Sequence, residues 1–190
     1  YRTRFEIARI VLLRPKLLVL DEPLANLDGP RKQEILPYLE RLRDEAGIPI
    51  LYVSHSVPEI ARLATSVVVM EGGRVVRTGP TADILSDPDV VPSLGVREAG
   101  ALVRARVVAH HDDGLSELSW SGGKLLLPRV PQNIGASVRV RIEAQDVMLA
   151  ATRPEGISAL NVVAVAITAL RAGGGPGVMV QLRAGDDLLL

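Results

Sequence analysis

Cysteine is absent from the 190 residues, and only one tryptophan, three tyrosines and one phenylalanine occur. The missing cysteine excludes disulfide scaffolds, cysteine zinc sites and thiol catalysis. Lysine and arginine together number 22, as do aspartate and glutamate, so the chain lacks the positive field of a nucleic-acid-binding protein, and we expect no nucleic-acid partner. No apolar run approaches the roughly 18 residues that span a bilayer. We therefore expect no direct insertion into lipid, and any link to a membrane must run through a partner protein.

The first half of the sequence alternates predicted strands and helices. Residues 17–20 form a continuous apolar run typical of a strand buried on both faces of a parallel sheet, and residues 48–53 form the next such run. Between them, Asp28 followed by Gly29 and Pro30 predicts a capped helix start. This succession favours a right-handed crossover with both strands parallel. The remaining predicted elements are helices over residues 5–12 and 58–64, a strand over 67–70 and a hairpin turn over 71–74.

Two changes of composition divide the chain. A stretch rich in proline and aspartate follows residue 85, which is typical of a linker. From Ala101 apolar residues alternate with polar ones, as Val103 and Ala105 do with Arg104, and this period of two predicts half-buried antiparallel strands. Closure into a small β-barrel would remove exposed sheet edges. The predicted turns lie at residues 112–114, 121–123, 133–135 and 173–175. We predict an α/β domain over residues 1–85, a linker over 86–100 and a small all-β barrel over 101–190.

Polar side chains follow both predicted strands of the α/β domain. Asp21 and Glu22 would lie at the carboxyl edge of the parallel sheet, where open α/β sheets bind ligands. A carboxylate such as Asp21 can hold Mg²⁺ through its water shell, and one such as Glu22 can orient or deprotonate a water for attack on a phosphoryl group. The second strand delivers Ser54 and His55 to the same edge, so we expect His55 near Glu22 and in reach of a terminal phosphate. The alternatives are a solvated acidic turn and a surface histidine.

These strand-end residues resemble the ATP-binding subunits of ABC transporters, which are P-loop NTPases. The resemblance implies ATP and Mg²⁺ as cofactors, Glu22 as the catalytic glutamate, and Asp21 on the Mg²⁺ through water. It implies that His55 is a second catalytic residue that binds the terminal phosphate, that Ser54 also binds the nucleotide, and that Asp28 binds nucleotide and meets the opposite protomer of a homodimer. The matching segments are residues 17–23 as Walker B, 25–28 as D-loop, 53–55 as switch-histidine segment, and Arg4, Ile7, Ala8 and Arg9 as the helix after the signature loop.

The resemblance narrows to the molybdate importers among these transporters. Residues 30–42 and 48–56 are similar to the ATP-binding subunit of those importers. This implies an ATPase that couples hydrolysis to molybdate uptake. It also implies integral membrane permease subunits as partners, and a peripheral location on the cytoplasmic face of the inner membrane.

The second half is similar to the small Mop or TOBE barrel of the same subunits, which binds oxyanions. Residues 138–149 and 157–162 carry this likeness. It implies Ser158 and Asn161 as candidate molybdate ligands. Leu160 stands where a basic residue is common in the motif, which weakens the expectation of molybdate binding because oxyanion sites favour amides, hydroxyls and positive charge.

The sequence contains neither a phosphate loop of the form G-x-x-x-x-G-K-[ST] nor the L-S-G-G-Q signature motif of these transporters. Its one Gly-Lys step, Gly123-Lys124, follows Trp120 in a segment that we interpret as a hairpin turn. We expect that the chain is a piece of a longer subunit, that its barrel is truncated, and that these residues alone hydrolyse no ATP. Two other functions stay open: a non-enzymatic molybdate or tungstate store built on the β half, and an ATPase subunit for sulfate, sugar, polyamine or iron.

Overall fold

The computed structural model describes residues 15–45, 47–95, 98–172 and 177–190. The predicted helix over residues 5–12, the predicted turn over 173–175 and the residues compared with the helix after the signature loop lie outside these ranges. Those residues are Arg4, Ile7, Ala8 and Arg9. The chain divides into two compact units, Tyr1–Thr65 and Ser66–Leu190.

Four elements make up the described part of the first unit: β1 (Leu18–Asp21), α1 (Gly29–Glu45), β2 (Ile50–Val53) and α2 (Val57–Leu63). Strands β1 and β2 pair in parallel, with Leu18 opposite Ile50 and Asp21 opposite Val53. The predicted pair of parallel strands joined by a helix is therefore confirmed. Because the pair is in register to its end, the residues that follow the two strands begin side by side.

Helix α1 packs an apolar stripe on one face of the two strands. Leu36 and Leu39 are buried and join Leu18 of β1 in one cluster, to which α2 also contributes. Burial of each such side chain stabilises the fold by about 2 kcal/mol. Val19 and Leu51 on the opposite face are 55 % and 54 % exposed. The prediction that the first strand is buried on both faces is thus wrong for the described residues, because the helices that contact the strands pack on one face.

Arg43 of α1 holds the carboxyl end of α2. Its Nη1 donates to the carbonyl oxygens of Arg62 and Leu63 at 2.9 and 3.3 Å, and a cation favours such a helix end. Arg62 in turn donates to Glu40 Oε1 at 2.6 Å. A seven-residue helix is too short to be stable alone. Packing on α1 therefore fixes α2, and with it the loop that joins α2 to β2.

The second unit is mainly antiparallel β-structure. Its described elements are β3 (Ser66–Glu71), β4 (Arg74–Pro80), α3 (Thr81–Leu85), α4 (Val91–Leu94), β5 (Gly100–His110), β6 (Leu115–Trp120), β7 (Gly123–Pro128), β8 (Ser137–Glu143), a 3-10 turn (Ala144–Asp146), β9 (Ala166–Ala172), β10 (Val178–Ala184) and β11 (Asp187–Leu189). Strands β3 and β4 form a hairpin, β7-β6-β5-β8 form a four-stranded sheet, and β11-β10-β9 form a three-stranded sheet. None of the described helices in either unit is both long enough and apolar enough to cross a membrane.

Strand β5 shows the predicted alternation. Val103, Ala105 and Val107 are buried, whereas Arg104 and Arg106 are exposed. The core around Val103 includes side chains from β6, β7, β10 and β11, so the two larger sheets share one core. Closure of the strands into a barrel is not confirmed, since the described strands are hydrogen-bonded as separate sheets.

Two further segments of the second unit were assigned from sequence. The predicted hairpin turn after Trp120 is confirmed, because Trp120 pairs with Gly123 across the turn that joins β6 to β7. The segment predicted as a linker over residues 86–100 contains α4, and Val91 within it is fully buried. Gln181 of β10 donates to the Ser86 carbonyl at 2.7 Å. This segment therefore packs within the second unit, and the domain bounds stay a prediction.

Candidate functional site

The carboxyl ends of β1 and β2 bring two predicted site residues together. The Glu22 N–H donates to the Val53 carbonyl at 2.9 Å, which extends the pairing one residue beyond Asp21. The chain then leaves the sheet at Glu22, whose φ is 44°, the only positive φ of a non-glycine residue among those described. This left-handed conformation is unfavourable for an L-residue. Backbone strain of this kind is concentrated at functional sites.

His55 contacts Glu22 through two groups. Nδ1 of its ring lies 2.6 Å from Glu22 Oε1, and its backbone N–H donates to the same oxygen at 3.1 Å. The side chains of His55 and Glu22 are 82 % and 34 % exposed. The predicted proximity of the two residues is confirmed, and both are accessible to solvent.

This contact gives different roles to the two ring nitrogens of His55 and to the two carboxylate oxygens of Glu22. A carboxylate only accepts hydrogen bonds, so Nδ1 of His55 carries a proton while it faces Glu22. No described residue forms a hydrogen bond with Nε2, which can donate to a phosphate oxygen only when the ring is protonated. Among the described residues, Oε1 alone of Glu22 accepts these bonds, which leaves Oε2 to accept a proton or a hydrogen bond from water.

Asp28 caps helix α1, as predicted. Its Oδ1 accepts the Arg31 N–H at 2.9 Å, and its carbonyl oxygen accepts the Lys32 N–H at 2.9 Å. The side chain of Asp28 is 59 % exposed, and its Oδ2 lies 3.8 Å from Arg31 Nε. Asp28 is therefore fixed by its helix and still open to a partner.

Asp21 is exposed at the end of β1, next to Glu22. Mg²⁺ commonly takes one or two carboxylates together with water and phosphate oxygens. In the described ranges no group of three or more His, Cys, Asp or Glu residues gathers to hold a metal ion. One exposed carboxylate at a sheet edge fits a water-mediated Mg²⁺ contact, and this role of Asp21 stays a prediction.

Ser54 leads to a set of residues that the sequence did not reveal. Its Oγ donates to Glu59 Oε2 at 3.0 Å and accepts the Ser56 N–H at 3.1 Å. Glu59 is 4 % exposed, and it also accepts from the Tyr52 hydroxyl at 2.8 Å and from Lys32 Nζ at 2.8 Å. We call Lys32, Tyr52, Ser54 and Glu59 the Glu59 cluster. Through Ser54, the Glu59 cluster contacts the loop that carries His55.

The Glu59 cluster shifts two pKa values. Burial by itself raises the pKa of Glu59, but the hydrogen bonds from Lys32, Tyr52 and Ser54 and the charge of Lys32 together lower it below its ordinary value. Burial, followed by the hydrogen bond to the Glu59 carboxylate, raises the pKa of Tyr52. At neutral pH the cluster therefore contains a charged carboxylate and an uncharged phenol.

A sequence signal near this cluster points to a different structure. Ser56 followed three residues later by Glu59 matches the capping-box pattern, in which the glutamate reaches back to the helix start. Ser56 makes no side-chain cap hydrogen bond, and Glu59 instead binds Lys32, which lies 27 residues earlier in the chain. Only the packing of α2 against α1 brings these two side chains together, so no local pattern predicts the contact.

The candidate oxyanion ligands lie on the segment between β8 and β9. Asn161 uses its amide to bind the backbone of β7: Oδ1 accepts the Leu126 N–H at 2.7 Å, and Nδ2 donates to the Leu126 carbonyl at 2.9 Å. Among the described residues, the second amide hydrogen of Asn161 has no acceptor. Ser158 and Leu160 are exposed. Oxyanion binding at Ser158 and Asn161 stays a prediction.

Nearly the whole chain is similar to curated proteins that share one name. No family model matches the chain. A protein named molybdenum import ATP-binding protein ModC from Mesorhizobium japonicum is 48 % identical over 182 residues, which are 95 % of this chain and 49 % of that relative. The protein of the same name from Rhizobium meliloti is 50 % identical over 191 residues, 99 % of this chain and 53 % of the relative. The one from Albidiferax ferrireducens is 43 % identical over 190 residues, which are 100 % of this chain and 51 % of that relative. The chain spans about half the length of these curated relatives.

Proposed function

Because this chain belongs to the family of ModC-type ATP-binding proteins of molybdenum import, we propose that it supplies the hydrolytic residues of an ABC-type ATPase subunit. The observation that carries the proposal is the 2.6 Å contact between Glu22 Oε1 and His55 Nδ1 at the carboxyl edge of two parallel strands. A carboxylate and an imidazole placed together at such an edge suit the attack of water on a terminal phosphoryl group.

Glu22 acts in this proposal as the general base. His55 occupies Oε1, so Oε2 accepts the proton of the attacking water. The strained backbone at Glu22 and the two contacts from His55 hold the carboxylate in one place, which lowers the entropic cost of positioning the water. His55 in its protonated form donates from Nε2 to the terminal phosphate, and Glu22 balances the charge of the ring.

ATP and Mg²⁺ are the proposed cofactors. Asp21 would hold Mg²⁺ through water, and the bound ion would neutralise charge on the phosphate oxygens. Ser54 would also bind the nucleotide, and its Oγ accepts the Ser56 N–H in the loop on which His55 lies. Since the 190 residues contain no phosphate loop, we expect most contacts to the triphosphate to come from residues outside this sequence.

The proposed partners follow from the family. Asp28, capped on its helix and exposed, would contact the nucleotide and the opposite protomer of a homodimer. The subunit would dock on integral membrane permease subunits at the cytoplasmic face of the membrane and couple ATP hydrolysis to the uptake of molybdate. The names of the relatives support molybdate as the cargo.

A chimera tests the proposal. This chain replaces the matching half of the Mesorhizobium japonicum relative, and the unaltered relative serves as the control. We expect the chimera to bind and hydrolyse Mg-ATP, and we expect negligible hydrolysis by the 190 residues alone. A folded chimera that binds ATP without hydrolysing it would contradict the proposal. If the 190 residues alone showed substantial turnover that is lost in Glu22→Gln, this would contradict the expectation that hydrolysis needs the other half of the chimera.

A second candidate function belongs to the second unit. Leu126 anchors the Asn161 amide, and no described residue accepts its second hydrogen; with the exposed Ser158 close in sequence, this favours a weak oxyanion site. Calorimetric titration of the chain with molybdate, tungstate and sulfate tests it. Binding heat for molybdate that is lost in Ser158→Ala supports the site, and no heat for any of the three anions leaves this unit with a structural role.

A further inference from the structure

Glu59 is a buried carboxylate for which the proposed reaction has no direct use. Its side chain is surrounded by three donors: Lys32 Nζ at 2.8 Å from Oε1, and the Tyr52 hydroxyl and Ser54 Oγ at 2.8 and 3.0 Å from Oε2. A carboxylate that is 4 % exposed is strongly destabilising unless such partners compensate its charge. The position of each donor is therefore tied to the position of this carboxylate.

The donors come from two separate segments of the chain, the start of α1 and the end of β2 with the loop that follows it. Lys32 lies in the first turn of α1, Tyr52 lies in β2, and Ser54 lies in the loop after β2. Ser54 also accepts the Ser56 N–H at 3.1 Å. The residues on both sides of His55 are thus held by the Glu59 cluster, while Glu22 holds His55 itself.

Lys32 extends this connection to Asp28. The Lys32 N–H donates to the Asp28 carbonyl at 2.9 Å, and Asp28 caps the same turn through the Arg31 N–H. A continuous chain of polar contacts therefore runs from Asp28 through Lys32 and Glu59 to Ser54. Because its central carboxylate is shielded from water, the contacts are stronger than they would be at the surface.

We infer that Lys32 and Glu59 are positioning residues that couple Asp28 to His55. The inference rests on the proposed function, in which Asp28 meets the opposite protomer and His55 contacts the terminal phosphate. Contact at Asp28 then fixes the first turn of α1, and the ion pair between Lys32 and Glu59 passes this constraint to the loop that carries His55. Assembly of the two protomers therefore also places the His55 side chain.

Two substitutions of Lys32 in the chimera test this coupling through hydrolysis. The Lys32 side chain is 28 % exposed, so the fold should tolerate its replacement. Lys32→Met removes the ion pair, and Lys32→Arg is the matched control that keeps it. We expect Lys32→Met to lower kcat about tenfold with KM for ATP changed by less than about twofold, and Lys32→Arg to retain kcat. Equal kcat in all three proteins, well below their Tm, would overturn the inference.

Amide hydrogen exchange in the 190-residue chain gives a readout that needs no hydrolysis. We expect Lys32→Met to reduce the protection of the His55 and Ser56 amides about tenfold, and Lys32→Arg to leave it unchanged. Unchanged protection in both variants would overturn the coupling. An inactive unaltered chimera would instead count against the proposed function, and the exchange measurement would then decide the coupling on its own.

Discussion

At the scale of single residues, Glu22 combines an unfavourable backbone conformation with the proposed catalytic role. Its φ of 44° is one in which the Cβ of an L-residue crowds the following carbonyl oxygen. The turn at this residue places its carboxylate beside His55 at the end of the two strands. The strain is therefore retained at a position where it orients a functional group.

Replacement of Glu22 by glycine and by alanine measures this strain. Both variants lose the contacts to His55, so the difference between them reports the backbone. At an ordinary position glycine is less stable than alanine by about 0.4–1 kcal/mol. Here we expect the Glu22→Gly variant to be more stable than Glu22→Ala by about 1 kcal/mol. Urea unfolding followed by the helical circular dichroism signal checks this, and a more stable alanine variant would contradict the left-handed conformation.

The lowered pKa of Glu59 makes the stability of the first unit depend on pH. The folded state binds the Glu59 proton less tightly than the unfolded chain does. The carboxylate therefore contributes its full stabilisation above its ordinary pKa of 4.5, and this contribution is lost as pH falls through the lowered folded value.

Glu59→Gln should be less stable than the unaltered chain at about pH 7, and the gap should narrow towards about pH 3, because protonation removes the advantage of the carboxylate. Urea unfolding at the two pH values measures the gap. Glu45→Gln, at an exposed carboxylate of the same unit, is the control and should show little change at either pH. A gap at Glu59 that is independent of pH would contradict the assignment of a charged carboxylate.

At the scale of elements, α1 links the predicted site to the core. Its buried stripe packs on β1 and β2, its first turn carries the Asp28 cap and Lys32, and Arg43 near its end holds α2. Both loops that carry proposed site residues are thus positioned by one helix.

Two substitutions of Asp28 distinguish the contribution of its capping hydrogen bond from that of its charge. Asp28→Ala removes the acceptor for the Arg31 N–H and should lower the free energy of unfolding by about 1 kcal/mol. Asp28→Asn keeps an acceptor and should stay within about 0.5 kcal/mol of the unaltered chain. Urea unfolding of the 190-residue chain checks both values. Equal losses in the two variants would show that charge, and not capping, accounts for the contribution.

The elements also show what the sequence could predict. The parallel strands, the contact of His55 with Glu22 and the alternation along β5 follow from local apolar patterns and from the positions at which strands end. The Glu59 cluster was missed because Lys32 and Glu59 meet only through the packing of two helices. Barrel closure has the same difficulty, since alternation predicts which residues of a strand are buried but not which strands pair.

At the scale of the whole molecule, the two compact units contain different sets of proposed site residues. The first contains Asp21, Glu22, Asp28, Ser54 and His55, all the residues proposed for ATP hydrolysis, and the second contains Ser158 and Asn161, proposed for oxyanion binding. This chain matches proteins named molybdenum import ATP-binding protein ModC along nearly all of its own length and about half of theirs.

Glu22 is proposed as the base that activates water for ATP hydrolysis. The most direct test is the kcat for ATP of the chimera with Glu22→Gln, compared with that of the unaltered chimera, with ATP binding measured in both. Glutamine keeps the shape of the side chain and lacks the basic carboxylate, so we predict that kcat falls about a hundredfold or more while ATP still binds. A kcat within about twofold of the unaltered chimera would contradict the claim.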